Sequence, residues 1–357
     1  MLSTAKLNPS DCRIAVFEKP DSPLKIQSHA IPEPKEGEVL LKISACTICG
    51  SDLHTIAGTR KEKTPTILGH EIIGHVAAMG SDEILDITGT PISTGDRVTW
   101  AICMSCGDCS RCETGLPQKC TSVRKYGHEV FDGESGFVGG FAEYILLPRT
   151  SAILRIRNNV ADEVLCPANC ATATVVAACR QVQTINDRDV LIIGGGMLGL
   201  TAAAYTKSTG ARNITVIEPT EQRRQLCFQF GADKAVTDSS SLDGKYDVIL
   251  DFSGVSQAIE KCIPHTAIGG SVVLVGSVTP SPGISVDPEF LVRNLVRLVG
   301  VHNYHPKDLI TAVEFLSLHA DNFPFGQLVA CSFSLQEINE AVKYALEQKP
   351  VRVMVKP

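Results

Sequence analysis

The stretch Asp189-Val190-Leu191-Ile192-Ile193-Gly194-Gly195-Gly196-Met197-Leu198-Gly199 decides the fold. Asp189 to Ile193 reads as a buried strand, the glycines as a turn, and Leu198 to Ser208 as a helix. The glycines fit G-x-G-x-x-G in the strand–turn–helix setting that makes this pattern informative. Gly194 permits the tight turn, Gly196 lets the backbone approach a pyrophosphate, and Gly199 lets helix and strand pack closely. The N–H groups of the helix start, at Met197 and Leu198, then face the phosphates. Glu218 stands 24 residues after Gly194, at the end of the next strand. A carboxylate there accepts bonds from both ribose hydroxyls and repels a 2′-phosphate, which favours NAD over NADP. Arg223 and Arg224 follow on the next helix and would either soften that discrimination or be solvated, as arginines on an exposed helix usually are.

Outward from this stretch the pattern persists. Asn213–Glu218, Tyr246–Asp251 and Ser271–Val275 read as strands, Glu221–Phe230 as a helix ending at Gly231. β-Branched runs alternating with helices indicate a doubly wound parallel sheet covered on both faces. The first half differs. Val39–Ile43, Gly74–Ala78, Asp96–Trp100 and Phe141–Leu146 read as short strands bounded by Gly or Pro, without a sustained helical period. The tail returns to mixed elements, a helix at Gln336–Gln348 and a strand at Arg352–Val355.

The chain has 357 residues, enough for two domains, with 44% hydrophobic and 20% charged residues and a net charge of -6. That balance argues against a nucleic-acid scaffold. Arg60, Lys61 and Lys63 are interrupted by Glu62 and read as a solvated loop. The most apolar stretch, Val190 to Tyr205, falls short of the ~20 residues a spanning helix needs. Met1 to Pro20 carries no apolar segment of the signal-peptide kind. A cytoplasmic location is the expectation, and the 14 cysteines then point to metal ligation more than to disulfides.

Cys106-x2-Cys109-x2-Cys112-x7-Cys120 is the strongest local signal. Four thiolates close a tetrahedral shell and leave no coordination slot, so a zinc held there is structural. Gly107 and Gly115 supply the bends, and Cys103 is the spare fifth cysteine. A second constellation is dispersed: Cys49-Gly50-Ser51-Asp52-Leu53-His54, Gly69-His70-Glu71, and Asn169-Cys170-Ala171-Thr172. Cys49, His70 and Cys170 would give three ligands and an open fourth position, though spacing alone does not establish it.

These motifs, in this order, resemble the zinc-dependent medium-chain alcohol dehydrogenases over nearly the whole chain. The resemblance implies an α/β protein with a GroES-like β-rich catalytic domain at 1–170, a Rossmann NAD-binding domain at 171–302, and a return segment at 303–357. It implies Cys49, His70 and Cys170 as ligands of a catalytic zinc. Ser51 would accept the substrate hydroxyl proton, His54 would pass it towards solvent, and Asp52 would orient the His70 imidazole. Glu71, a direct ligand in polyol dehydrogenases, would stand behind the metal or serve as an alternate ligand. Gly50 departs from relatives with an arginine near the pyrophosphate, and Arg352 would carry that charge instead. Two zinc ions and NAD are the implied cofactors. The activity implied is hydride transfer between an alcohol and NAD, in a homodimer or homotetramer with cofactor domains paired edge to edge.

Lys125, Tyr126, His128, His302, Asn303, Tyr304 and His305 form two polar clusters, in regions expected either to approach the cleft or to be exposed, solvated loops. Gly300–Pro306 resembles a subgroup associated with phosphonate catabolism. With only 5% aromatic residues, the chain fits a small polar or anionic alcohol better than a greasy one. A polyol- or threonine-type dehydrogenase would share the fold, the zinc and NAD. A non-catalytic nucleotide-binding protein would be expected to lose Cys49, His70 or the Ser51–His54 pair.

Overall fold

The computed structural model describes residues 11–357 apart from 82, 134–136 and 158–159. The expectation about an export signal therefore lies partly outside the described residues. The chain divides into two compact units. The first comprises residues 1–170, 305–317 and 325–357, the second 171–304 and 318–324. Against the expected boundary, 303–304 and 318–324 group with the second unit. Phe323 accounts for the latter piece, its ring stacked on Phe230 at 6.3 Å between centroids.

The second unit is built on the opening stretch. Its six strands are β1 (Asp189–Ile193), β2 (Asn213–Ile217), β3 (Lys234–Val236), β4 (Tyr246–Asp251), β5 (Thr266–Leu274) and β6 (Arg297–Gly300). All are parallel, in the order β3-β2-β1-β4-β5-β6. The order reverses between β1 and β4, the switch point at whose carboxyl ends sheets of this kind bind their ligands. Val190, Leu191, Ile192 and Ile193 are all buried, as a strand covered on both faces requires. Each such side chain contributes about 1.5–3 kcal/mol by leaving water. Helices α1 (Met197–Ser208), α2 (Glu221–Gln229) and α3 (Ser256–Cys262) follow β1, β2 and β4. β5 begins at Thr266 rather than Ser271, with a register shift against β4 before the expected strand.

The first unit is mostly antiparallel. A seven-stranded sheet runs in the order Ile153–Arg155, Arg97–Trp100, Glu71–Met79, Val39–Thr47, Arg352–Lys356, Val329–Ser334, with Tyr144–Leu147 also paired to Val39–Thr47. The return segment thus supplies a strand: Met354 and Val355 pair with Thr47 and Cys46. A second sheet of three strands holds Lys25–Ala30, Asp11–Phe17 and Thr66–Ile67. Trp100, Phe17 and Phe141 fill the core. Phe141 is not part of the expected strand, which begins at Tyr144. Its N–H donates to Leu68 O (3.0 Å) and its carbonyl accepts from Ala15 N (2.8 Å), joining it to different neighbours. A short helix, Gly50–Ile56, interrupts the β-rich half; two turns are too few to show a period. No helix among the described residues is long and apolar enough to cross a membrane.

Candidate active site and metal centres

Helix Gly50–Ile56 starts at Cys49, and Asp52 locks that start. Its buried carboxylate accepts from Cys49 N (2.9 Å) and Gly69 N (3.2 Å), tying the helix to the turn before His70. Asp52 Oδ1 also lies 3.4 Å from His70 Nδ1. That is an ion-pair contact longer than a good hydrogen bond, and it leaves Nδ1 without a well-formed acceptor. His70 Nε2 is directed the other way, 3.4 Å from Ser51 Oγ. Asn169 brings up the third segment. Its amide donates to the carbonyls of His70 (2.9 Å) and Trp100 (3.0 Å) and accepts from Ile72 N (3.4 Å), fixing the residue before Cys170 against strand Glu71–Met79. Ligand atoms of Cys49, His70, Glu71 and Cys170 consequently all lie within 4.8 Å of one another.

The electrostatics are those of a cation site. The Cys170 thiol, hydrogen-bonded to Cys49, holds the Cys49 pKa well below the thiol range against the effect of burial, with the Arg352 cation adding to the pull. Cys170 is pushed up in turn, first by that hydrogen bond and then by burial. Burial alone would lower the His70 pKa, but the Asp52 carboxylate and then the Cys49 sulfur together outweigh it and raise it. Two sulfurs and an imidazole form a donor set suited to zinc.

Glu71 and Arg352 form a buried pair behind the thiols. Arg352 Nε donates to Glu71 Oε2 (2.8 Å) and a terminal nitrogen to Oε1 (2.8 Å). Thr47 Oγ1 donates to Oε2 as well (2.6 Å). The same terminal nitrogen lies 3.7 Å from Cys49 Sγ, and the other donates to Val351 O. Arg352 was expected at the dinucleotide phosphates. Its fork is instead closed on Glu71, a partner 281 residues away that no local motif announces.

Ser51 stands at the metal group, but His54 faces Thr59 on the exposed side, Nδ1 to Oγ1 at 3.1 Å. No direct Ser51–His54 hydrogen bond is present among the described residues. Tyr126, expected to approach a cleft, is a core residue: fully buried, its hydroxyl bonded to Ser151 and its ring edge-on to Trp100. His128 is the reverse case, its ring 5.3 Å from that of His70 and its Nδ1 3.0 Å from Glu62 Oε1. Arg60 Nε lies 2.8 Å from the same oxygen, so the loop read as solvated is anchored. In the second cluster Tyr304 is buried and His305 N donates to Asp308, fixing the start of helix Pro306–His319.

Cys106, Cys109, Cys112 and Cys120 converge on one point. Their sulfurs are 3.3 Å (106–120), 3.5 Å (109–112), 3.9 Å (109–120) and 4.0 Å (106–112) apart. Four sulfurs about 2.3 Å from a central zinc would stand about 3.8 Å apart, so this cage has the right size. Backbone N–H bonds, Thr121 foremost, bring the Cys109 pKa down to about 5. Cys103 lies outside the group, a buried thiol pushed up to about 11 by desolvation.

In the second unit Gly194 takes φ +101°, and a Cβ on Gly199 would fall 1.8 Å from Gly194 O. Space at Gly196 is open, so the first turn of α1 at Met197 and Leu198 is approachable. The middle glycine has a role that the motif leaves unassigned. Gly195 N donates to Glu218 Oε2 (2.8 Å), and a Cβ there would meet Glu218 Cγ at 2.8 Å. Thr220 N holds the other carboxylate oxygen (2.8 Å). Arg224 is closed on the Glu218 and Pro219 carbonyls and on Glu221; Arg223 precedes it on α2.

Residues 35–158 match the family model described as alcohol dehydrogenase GroES-like domain, and 198–317 the one described as zinc-binding dehydrogenase. L-threonine 3-dehydrogenase of Streptomyces avermitilis is 30% identical over 303 residues, covering 80% of this chain and 83% of the relative. The protein of the same name from Pyrococcus furiosus is 32% identical over 286 residues, 75% of this chain and 76% of its own. Among solved structures, an alcohol dehydrogenase of Thermotoga maritima superposes with a TM-score of 0.91 at 24% identity, covering 97% of this chain and 99% of its own. A zinc-binding dehydrogenase of Sinorhizobium meliloti bound to NADP gives 0.85 at 25% identity, covering 98% of this chain and 100% of its own.

Proposed function

The chain belongs to the zinc-dependent medium-chain alcohol dehydrogenase family, and from that premise we propose that it transfers hydride between a small polar or anionic alcohol and NAD, giving the aldehyde or ketone. The observation that carries the proposal is the buried convergence of Cys49, His70 and Cys170 beside Ser51. Zinc bound there supplies Lewis acidity that lowers the pKa of an alcohol, and NAD supplies the hydride acceptor. In this reading those three residues hold the metal. Glu71, with both oxygens engaged by Thr47 and Arg352, steadies Arg352 against the Cys49 sulfur and is not a ligand. Ser51 Oγ takes the hydroxyl proton. His54, on the exposed side of the same helix, passes it to water. Cys106, Cys109, Cys112 and Cys120 hold a second, closed zinc that fixes their loop.

The turn from Gly194 to Gly199 receives the pyrophosphate, and Glu218 the ribose hydroxyls. Replacing Glu218 by Ala is expected to raise the NADP-to-NAD ratio of kcat/KM by about one to two orders of magnitude, since it removes both the hydroxyl acceptor and the charge facing a 2′-phosphate. Initial rates with the two dinucleotides measure this; an unchanged ratio assigns discrimination elsewhere. We further propose a catalytic domain of 1–170 completed by the return segment apart from 303–304 and 318–324, which group with the second unit, and a homodimer or homotetramer joined along β6, one of the two edge strands of its sheet. The two groups of thiol ligands require reduced cysteines, which suits a reducing compartment such as the cytoplasm.

A second reading, a threonine-type dehydrogenase, is favoured by the names of the two sequence relatives. NADH formation by the zinc-loaded protein with L-threonine, polyols and short alcohols separates the two. Failure of every alcohol, with metal and dinucleotide bound, would remove the dehydrogenase reading.

A further inference from the structure

Asp251 is the last residue of β4 and is fully buried. It pairs in register with Ile193, the last residue of β1, on one side and with Leu274, the last of β5, on the other. A carboxylate thus stands where the strand order reverses. It belongs to neither metal group. A buried carboxylate is costly unless donors surround it, and here one loop supplies them. Oδ1 accepts from Ser253 Oγ (2.7 Å), Ser253 N (3.0 Å) and Gly254 N (3.2 Å), and Oδ2 lies 3.3 Å from Gly254 N.

The loop gathered in this way, 252–254, touches both neighbouring strand ends. Towards β1, Phe252 N donates to Ile193 O (2.9 Å), and a Cβ on Gly194 would lie 3.3 Å from Ser253 N. Towards β5, Gly254 has φ +64°, and a Cβ there would fall 2.5 Å from Gly276 O. A Cβ on Gly276 would fall 2.3 Å from Gly254 N. Gly276 N donates in turn to the Asp251 carbonyl (3.1 Å). The loops after β4 and β5 are therefore stacked backbone on backbone, with no room for a side chain between them. The first of them also packs on the glycine turn after β1.

A sheet of this kind binds a dinucleotide as two mononucleotide halves across the reversal point. Glu218, just after β2, marks the adenosine half, and the ends of β4 and β5 belong to the other. We propose that Asp251 is a positioning residue for that other half. By gathering the donors of 252–254 it holds this loop, and the loop stacked on it, in the arrangement that receives the nicotinamide nucleotide. Its oxygens take their donors from the loop, so it acts through the loop and does not touch the cofactor. This rests on the dinucleotide-binding reading. Without the carboxylate the loop samples other arrangements, and the apparent dissociation constant rises as the competent fraction falls.

Titrations of the zinc-loaded protein with NADH, read by fluorescence, and with 5′-AMP, read by calorimetry, separate this role from general damage, because AMP takes only the half marked by Glu218. Asp251→Ala is expected to weaken NADH by about tenfold to a hundredfold, the size of one hydrogen bond to a charged group, while AMP stays within about threefold of wild type. Asp251→Asn keeps an amide oxygen that accepts from Ser253 and Gly254 as Oδ1 does, and should hold NADH within about fivefold of wild type. Gly254→Ala, forced against Gly276, should reproduce the selective loss from the other side of the contact, and it supplies the test if Asp251→Ala fails to fold. Equal weakening of NADH and AMP overturns the proposal, since the substitution then damages the unit as a whole. NADH affinity unchanged in both Asp251→Ala and Gly254→Ala overturns it as well and leaves the dehydrogenase reading intact. A wild-type protein that binds neither ligand overturns the dinucleotide reading and this proposal with it.

Discussion

Replacing Cys49 by Ala is expected to lower kcat/KM by about three orders of magnitude or more while leaving dinucleotide affinity within about threefold of wild type. The size follows from the several kcal/mol that a Lewis acid contributes to stabilising developing negative charge, at 1.36 kcal/mol for each tenfold in rate. Cys49 is the thiol most easily ionised in its group, and it touches Cys170, His70 and Arg352. Its removal leaves too few donors to hold a metal at that position. The glycine turn belongs to the other unit, so its affinity for NAD is read independently. Elemental analysis should show zinc falling from two ions per chain to one, because the four-cysteine cage is untouched. Cys109→Ser is the matching control: it should lose the other ion and lower the unfolding temperature. Full turnover by a Cys49→Ala protein carrying a single zinc would end the proposed mechanism.

The contrast between the two cages explains what the sequence could reveal. Cys106, Cys109, Cys112 and Cys120 lie within fifteen residues, so their spacing alone describes a tetrahedron. The same holds for the turn at Gly194, where strand, turn and helix are contiguous. Cys49, His70 and Cys170 are joined only by long-range hydrogen bonds: Asp52 to Gly69, and Asn169 to the His70 and Trp100 carbonyls. A buried Asn next to a cysteine carries no local signature, and only resemblance assembled that group. Where resemblance carried a residue to the wrong partner, as with Arg352 and the phosphates, the deciding contact was with Glu71. The polarity of His128 is visible in the sequence, but its closeness to His70 follows from loop packing that spacing does not encode. The motif leaves the position of Gly195 free, whereas the Glu218 side chain occupies the space a Cβ would need.

The Glu71–Arg352 pair sets the second large expectation. Glu71 is fully buried and Arg352 nearly so. Arg352→Met removes both nitrogens that neutralise the carboxylate and leaves it with the Thr47 hydroxyl alone. Stranding one charge of a buried pair costs about 3–5 kcal/mol, whereas replacing both partners with apolar side chains of similar volume is often close to neutral. The double variant Glu71→Met/Arg352→Met should therefore recover most of the loss. The remainder should be about 1 kcal/mol, because Thr47 then lacks its acceptor. Urea unfolding of the four zinc-loaded proteins closes the double-mutant cycle, with an expected coupling above about 2 kcal/mol. A purely local packing role for Arg352 predicts the opposite: two losses that add, with the double variant the least stable of the four. Additive losses would show that the pair is held by the strand Arg352–Lys356 around it, and that Arg352 is dispensable as the counter-ion of Glu71.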